Sequence, residues 1–300
     1  MKRHIRMARV KLARALYHSI SAEVGGGKAP YLLTPQKGSA KLAHNADITD
    51  KWEQVILYML PHRLGRSAWE QNAARPALFG AINWPNVCSH SSAGCRAVCL
   101  HAAGRLGMAE IAKLARTALY AIDPDAFWLL IDDEIRRHRA RLATQGKRLA
   151  VRINGTSDID VPLWLVDKWD TADGRGVVFT DYTKRTDVPL GWDHRAPGRN
   201  RYTVFSATER TTDAQIHDII AAGHNVVVPF QVKRGEDLPQ SYLGHTVIDG
   251  DKHDLRFLDH VVEREAHGDR YGVIVGLRYK VVPHSPEHHG FIRPVPVTIG

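Results

Sequence analysis

The residues with the clearest chemical signature are the three cysteines, which fall within twelve positions of a 300-residue chain. Cys88, Cys95 and Cys99 follow a C-x6-C-x3-C spacing in a loop that also contains glycine and serine. Thiolates are soft ligands that suit zinc and iron–sulfur clusters. Cysteines this few and this close together cannot form a disulfide framework. The pattern therefore predicts a metal or cluster site in a reducing compartment, which we expect to be the cytoplasm.

The cysteine spacing leaves the identity of the metal open. A structural zinc site needs four protein ligands, and His90 and His101 are the nearest candidates for the fourth. An iron–sulfur cluster held by three cysteines would instead leave one iron open to a cofactor. Three partly buried cysteines without a metal are the remaining alternative.

Polar residues that follow four predicted strands form a second candidate group. They occupy residues 154–158, 180–185, 206–210 and 249–256. In parallel α/β folds the carboxyl ends of the strands form one rim, and active sites lie there. A single cluster of this kind is typical of a turn or helix cap. Four clusters in series, with lysine and arginine among them, predict a common pocket.

Hydrophobic patterning predicts the elements that would position these residues. Helices are predicted over residues 4–22, 47–60, 108–122, 124–144, 162–169 and 212–222. Strands are predicted over residues 76–83, 149–153, 177–181, 202–206, 225–230, 246–248 and 271–276. Most strands are continuous apolar runs, which is typical of a parallel sheet buried on both faces. The alternation predicts an α/β fold, either a complete or partial βα (TIM-like) barrel or, as the main alternative, a doubly wound open sheet.

The net charge of +9 is concentrated at the start of the chain, because residues 1–28 carry +6 and the remainder only +3. We therefore predict a basic N-terminal arm, which would either contact phosphates or be a solvated tail. The predicted organisation is an arm over 1–28, a helical segment over 29–75, a βα catalytic domain over 76–280 and a Pro/His-rich tail over 281–300. The chain has no run of about 18 apolar residues, so no membrane span is expected.

A predicted strand, a three-cysteine loop, a helix and further βα units follow one another, and in this order the chain resembles the radical S-adenosylmethionine enzymes. The resemblance implies that Cys88, Cys95 and Cys99 bind a [4Fe–4S] cluster whose open iron chelates S-adenosylmethionine. The usual spacing in that family is C-x3-C-x2-C, from which this sequence departs. The implied chemistry is hydrogen-atom abstraction by an adenosyl radical, for which the protein supplies orientation and exclusion of water.

The same resemblance implies roles for the strand-end residues. The family's Gly-Gly-Glu-like stretch corresponds to residues 154–158, which match it only in part. The expected cofactor-binding set is Asn154, Gly155, Thr156, Ser157, Ser206 and Glu209, of which the last two would contact the ribose. The set expected to orient the substrate or move protons is Asp158, Asp181, Lys184, Asp251, Asp254 and Arg256.

The segment from Cys88 to Arg105, together with residues 154–158 and 181–184, also resembles bacteriophage and prophage proteins with a three-cysteine loop before a Gly-Arg turn. This resemblance implies a phage or prophage origin and no particular reaction.

Two alternative functions follow from the same features. The first is base exchange on phage DNA by an enzyme that resembles the queuine transglycosylases. It would contain a structural zinc and use Asp158, Asp181 or Asp249 as nucleophile. The second is a non-catalytic, zinc-containing protein that binds DNA or RNA. Since residues 29–300 carry only +3, any nucleic-acid contact implied by charge rests on residues 1–28.

Overall fold

The computed structural model describes residues 2–27, 29, 31–35, 50–102, 109–170, 176–192, 200–259, 272–280 and 290–295. The helices are α1 (Lys2–Glu23), α2 (Leu64–Asn72), α3 (Ala93–Ala97), α4 (Glu110–Ile122), α5 (Pro124–Ala143), α6 (Leu163–Lys168) and α7 (Asp213–Ala221). The strands are β1 (Leu33–Pro35), β2 (Trp52–Leu57), β3 (Arg148–Arg152), β4 (Val178–Thr183), β5 (Gly191–Trp192), β6 (Arg201–Ser206), β7 (Val226–Phe230), β8 (Ser241–Tyr242), β9 (His245–Asp249) and β10 (Ile274–Arg278).

The strands form a mostly parallel sheet in the order β1-β2-β3-β4-β6-β7-β10-β9-β8. From β2 to β9 in this spatial order, each strand pairs in parallel with the next. The short strands β1 and β8 pair antiparallel at the two edges, and β5 pairs antiparallel with β6. The α/β class is confirmed. Within the described residues no pairing joins the two edges, so a complete barrel is not confirmed. Because the long strands are parallel, their carboxyl ends share one edge of the sheet.

Local sequence signals explain where the helices beside the sheet begin. Asp123 caps α5 by accepting a hydrogen bond from the Ala126 amide at 2.8 Å, and Pro124 occupies the first turn. Thr212 and Gln215 form a reciprocal capping box at the start of α7. Both starts agree with the predicted helices.

Helix α1, predicted as a basic arm, is docked onto the body. Its buried residues recur at helical spacing: Val10, Ala13, Tyr17 and Ile20. The helix packs against α4 and α5. Arg14 donates to the buried carboxylate of Glu134 on α5 at 2.8 Å, and Arg6 donates to Asp132 at the same distance. A solvated tail is therefore the wrong description of residues 2–23.

Two predicted elements before the cysteines are wrong. Residues 50–60 contain β2 instead of a helix, and residues 47–49 of the prediction lie outside the described residues. Trp52 packs on Phe257 at one face of the sheet while Val55 joins the core at the other, so the apolar positions serve both faces of a buried strand. Pro76–Phe79 forms a 3-10 helix where a strand was predicted. The parallel strand before the cysteine loop is thus β2, which lies within the predicted helical segment 29–75.

Candidate functional site

The carboxyl ends of the parallel strands open into one cavity of about 1180 Å³. Its lining includes Tyr58 after β2, Lys184 after β4, Ser206 at the end of β6 and Tyr279 after β10. The cysteine loop lies over the β2 and β3 end of this cavity, since all three cysteines also line it. The predicted convergence of the strand-end clusters is therefore what the structure shows.

The short helix α3 carries the middle cysteine and holds the loop in shape. Ser92 caps α3 by accepting a hydrogen bond from the Cys95 amide at 3.1 Å. The Cys88 thiol donates to the carbonyl of Thr156 at 3.3 Å, which ties the loop to the end of β3. All three cysteines are free and partly buried.

Glu209 anchors the cysteine loop from the opposite side. Its carboxylate accepts a hydrogen bond from the Ser92 hydroxyl and a second from the Gly94 amide at 2.9 Å. The hydrogen bond from Ser92 and the neighbouring amides hold the pKa of Glu209 below its usual range, although burial acts to raise it. Glu209 does not line the cavity, so it lies apart from the place that a ribose partner would occupy.

The electrostatics of the thiols are set by burial and by one lysine. Burial raises the pKa of Cys88 to about 12 and also raises the pKa of Cys99. Burial acts to lower the pKa of Lys184, but the negative charges of the cysteines and of Asp158 raise it overall. The thiols of Cys88 and Cys99 are therefore protonated near neutral pH unless a metal binds, and a free thiolate nucleophile at either position is disfavoured. The ammonium group of Lys184 could balance the charge of thiolates formed at this site.

The histidines at the site differ from those expected. His90 and His101 do not line the cavity, whereas His62 does. The Nδ1 atom of His62 lies 2.9 Å from the Ser91 hydroxyl, and its buried Nε2 has no hydrogen-bond partner among the described residues. Burial and the nearby charge of Arg96 lower the pKa of His62 to about 4, so its imidazole is neutral at neutral pH. A neutral imidazole nitrogen is a metal ligand.

No group of three or more His, Cys, Asp or Glu side chains is already arranged to hold a metal ion within the part of the chain that the structure describes. The three thiols face the same cavity without forming such a group.

The loop after β3, residues 154–158, is held tightly against β2. The Thr156 hydroxyl donates to the Met59 carbonyl at 2.6 Å and accepts from the Met59 amide at 3.0 Å. Gly155 donates to the Leu57 carbonyl at 3.1 Å, and a Cβ atom at this position would lie 2.5 Å from that oxygen. Only glycine fits here because the two backbones are in contact.

Two members of this loop, Asn154 and Ser157, line the cavity, but their side chains form hydrogen bonds within the loop itself. The Asn154 side chain donates to the Ile159 carbonyl at 3.0 Å and accepts from the Ser157 hydroxyl at 2.9 Å. Their clearest function in this structure is to shape the loop, and cofactor binding by them stays a prediction.

The expected catalytic residues divide into two groups. Asp158, Lys184, Asp251 and Asp254 line the cavity, whereas Asp181 and Arg256 do not. Asp158 accepts from the Thr183 hydroxyl at 3.0 Å and from the Lys184 amide at 3.1 Å, so it fixes the turn that carries the lysine.

Asp181 and Arg256 are buried behind the cavity wall. Asp181 accepts a hydrogen bond from the Asn154 amide at 2.7 Å, and burial raises its pKa to about 6. Arg256 is fully buried and pairs with Asp259 at 3.1 Å. In this structure both residues support loops of the rim, and neither reaches the space that a substrate would fill.

Sequence reasoning missed several cavity residues. Arg152 at the end of β3 stacks on the Tyr182 ring, with 4.1 Å between the guanidinium carbon and the ring centroid. Arg278 at the end of β10 lies 2.9 Å from both carboxylate oxygens of Asp249 and also bonds Asp251. Alternation along a strand would have placed Arg152 and Tyr182 on the same face as other cavity residues, but no local motif marks Arg278.

A family model described as gene product 88 matches residues 37–277 of the chain. The chain belongs to the gene product 88 family. The match includes the cysteine loop and nearly all of the parallel sheet, whereas α1 precedes it. Membership in this phage-type family agrees with the expected resemblance to bacteriophage proteins.

Searches of curated proteins and of solved structures gave no match to this gene product 88 member. None of the helices in the described ranges is long and apolar enough to cross a membrane.

Proposed function

We propose that this gene product 88 protein is a cluster-dependent enzyme that uses a [4Fe–4S] cluster and S-adenosylmethionine. The observation that carries the proposal is that three partly buried thiols of one loop line the cavity at the carboxyl edge of a parallel sheet. Along the chain β2 comes before the cysteine loop, with α2 and a 3-10 helix between them, and α4, α5 and β3 follow the loop. A parallel strand, then the cysteines, then helix and strand is the order that the resemblance to radical S-adenosylmethionine enzymes implies. The sheet would then be an open, partial βα barrel.

The donor chemistry of the site fits such a group. Three free thiols face one space, and Lys184 lines the same cavity, where thiolate charge would raise its pKa. The buried Nε2 of His62, which makes no hydrogen bond within the described part of the chain, is a further donor atom at the same cavity. Since the thiols do not yet form a ligand group in the described residues, binding would require the loop to draw them together.

A bound cluster would supply reducing power, and the chain would supply position and shielding. Glu209 and Ser92 hold the loop that presents Cys95, while Thr156 holds Cys88 against the end of β3. Lys184 offsets the negative charge that three thiolates would bring into a partly buried site. Asp158 keeps the turn with Lys184 in place.

Anaerobic reconstitution with iron and sulfide tests the proposal. We expect broad visible absorbance and iron with acid-labile sulfide in a stoichiometry near that of one cluster. The absorbance should be lost in Cys88→Ser, Cys95→Ser and Cys99→Ser. The control Ser206→Ala removes a hydroxyl from the same cavity and should retain the cluster. A protein that stays colourless and iron-free after reconstitution refutes the proposal.

A zinc site is the second candidate, and His62 favours it. The three cysteines with His62 would give a Cys₃His donor set, which is a common structural zinc set. The variant His62→Gln separates the two candidates, because it should release zinc from a four-ligand site but leave iron bound to three cysteines. Stoichiometric zinc that His62→Gln releases would favour the base-exchange or nucleic-acid-binding alternatives.

A further inference from the structure

The cavity has a second end, which differs chemically from the thiol end. It is formed where β7, β10 and β9 stop, three strands that are neighbours in the sheet. Each is followed by a cation that lines the cavity: Arg234 after β7, Lys280 after β10 and Lys252 after β9. All three side chains are exposed at the surface.

Two aromatic side chains line the same cavity near the ends of β10 and β7. Tyr279 follows β10 directly, and its amide donates to the Phe230 carbonyl at 3.2 Å. Phe291 lies in a segment tied to β7, because the Arg293 amide donates to the Pro229 carbonyl at 2.8 Å. Tyr279 and Phe291 both line the cavity and are partly exposed. Partly exposed aromatic rings that share a cavity with basic side chains suit stacking on a planar base.

The acids of the lining already face other partners. Asp249 and Asp251 bind Arg278, and the charge of Asp254 acts on the buried Arg256. The rim is also fixed in place, since the Arg278 guanidinium donates to the Glu236 carbonyl at 2.8 Å. The basic side chains that line this end outnumber its acids by four to three, so it has a net formal charge of +1 on a preorganised frame.

The size of the cavity leaves room for two ligands. Ligand pockets usually measure about 300–1,000 Å³, and this cavity is larger at about 1180 Å³. Four strand spacings separate β3 from β10 in the sheet, which is roughly 19 Å along the sheet. A ligand at the thiol end and a second ligand at the cationic end can therefore be bound together.

We propose that the cationic end, formed by Arg234, Lys252, Lys280, Tyr279 and Phe291, binds a nucleotide unit, with the phosphate on the cations and the base on the aromatic rings. The inference rests on the proposed function in that it names the substrate class of the same cavity. The recognised chemistry is shared by a free nucleotide and by a nucleotide within a single strand.

Binding to the metal-free protein tests this inference separately from the cluster. The probes are adenosine 5′-monophosphate, a short single-stranded oligothymidylate and, as a base-free probe, ribose 5-phosphate. Arg234→Gln and Lys280→Gln should each weaken nucleotide binding about tenfold, since each removes a charge-assisted contact. The matched control is Lys233→Gln, because Lys233 is exposed in the same loop but does not line the cavity.

The two nucleotide sources give different results. If the oligonucleotide is the ligand, changing Arg234, Lys252 and Lys280 together to Gln should make the plot of log affinity against log salt concentration shallower, with a slope about 2 smaller in magnitude. If the free nucleotide is the ligand, adenosine 5′-monophosphate binds and lengthening the strand adds no affinity.

Four results would overturn the inference. The first is that no probe binds, and the second is that Lys233→Gln loses as much nucleotide affinity as Arg234→Gln and Lys280→Gln. The third is that ribose 5-phosphate and adenosine 5′-monophosphate bind with equal affinity. The fourth is that nucleotide affinity is unchanged in the double variant Tyr279→Leu with Phe291→Leu. Because all assays use metal-free protein, nucleotide binding can succeed while cluster reconstitution fails. The reverse outcome is equally distinguishable.

Discussion

The anchoring of the cysteine loop by Glu209 gives a prediction that can be worked from the structure. The Glu209 carboxylate accepts from the Ser92 hydroxyl and from the Gly94 amide, and Ser92 in turn accepts from the Cys95 amide. The amides of Gly94 and Cys95 therefore depend on one carboxylate. The variant Glu209→Gln keeps the size of the side chain but replaces one acceptor oxygen with a donor.

We expect Glu209→Gln to destabilise the cysteine loop more than the rest of the fold. A hydrogen bond to a charged group contributes about 1.5–3 kcal/mol, and the lower end applies because Glu209 is only partly buried. A loss of about 1.5 kcal/mol corresponds to about tenfold faster hydrogen exchange at the Gly94 and Cys95 amides. The free energy of unfolding of the whole chain should change less, since the loop opens before the sheet.

Hydrogen exchange resolved to single amides measures this effect. The control is Glu70→Gln, which removes an exposed carboxylate that pairs with Arg66 on α2 and should leave the cysteine loop unchanged. If the Gly94 and Cys95 amides exchange at the wild-type rate in Glu209→Gln, the anchor described here does not hold the loop. The same variant should also bind iron more weakly if the loop positions the thiols.

Three further predictions concern stability. Since burial raises the pKa of Asp181 from 3.8 to about 6, the folded state binds its proton more tightly than the unfolded state does. The free energy of unfolding should therefore fall by about 3 kcal/mol in total as pH rises from about 3, below the unfolded pKa, to about 7, above the folded pKa. Urea unfolding of Asp181→Asn should lack this fall, and an identical pH profile would contradict the assignment. Ile20→Ala, at a fully buried position of α1, should cost about 2–5 kcal/mol in denaturant unfolding. Leu12→Ala, at a position of the same helix with 72% exposure, should cost almost nothing, and equal effects would mean that α1 is not docked. Gly155→Ala should lower the free energy of unfolding by about 1–3 kcal/mol, because its Cβ would overlap a backbone oxygen of β2. The control Gly27→Ala meets nothing within 4 Å, and thermal melts in which both variants match wild type would rule out the close approach.

The main elements after the cysteine loop could be predicted from sequence because their signals are local. Continuous β-branched runs indicated β3, β4, β6, β7 and β9, and helical patterning indicated α5 and α7. The shared cavity could also be predicted, since a single rule places the carboxyl ends of parallel strands at one edge. That rule needs the order of strands and helices but no knowledge of side-chain contacts.

Elements that depend on distant partners could not be predicted. The apolar residues of β2 fit a helix as well as a buried strand, and pairing with β3, in which Trp52 lies opposite Arg148, decides between them. The charge on α1 indicated an arm, yet Arg14 pairs with Glu134, which lies 120 positions further along the chain. Composition cannot show which charges are neutralised by contacts that form only on folding.

The candidate site divides in the same way. The sequence by itself determined that three thiols share one loop and that polar side chains follow several parallel strands. Only the tertiary structure decided that Asp181 and Arg256 are buried behind the wall, that Glu209 holds the cysteine loop and that His62 faces the cavity. The physical reason is that residue type and order fix which backbone edge a side chain belongs to, whereas its direction and partner are set by packing between segments far apart in the chain.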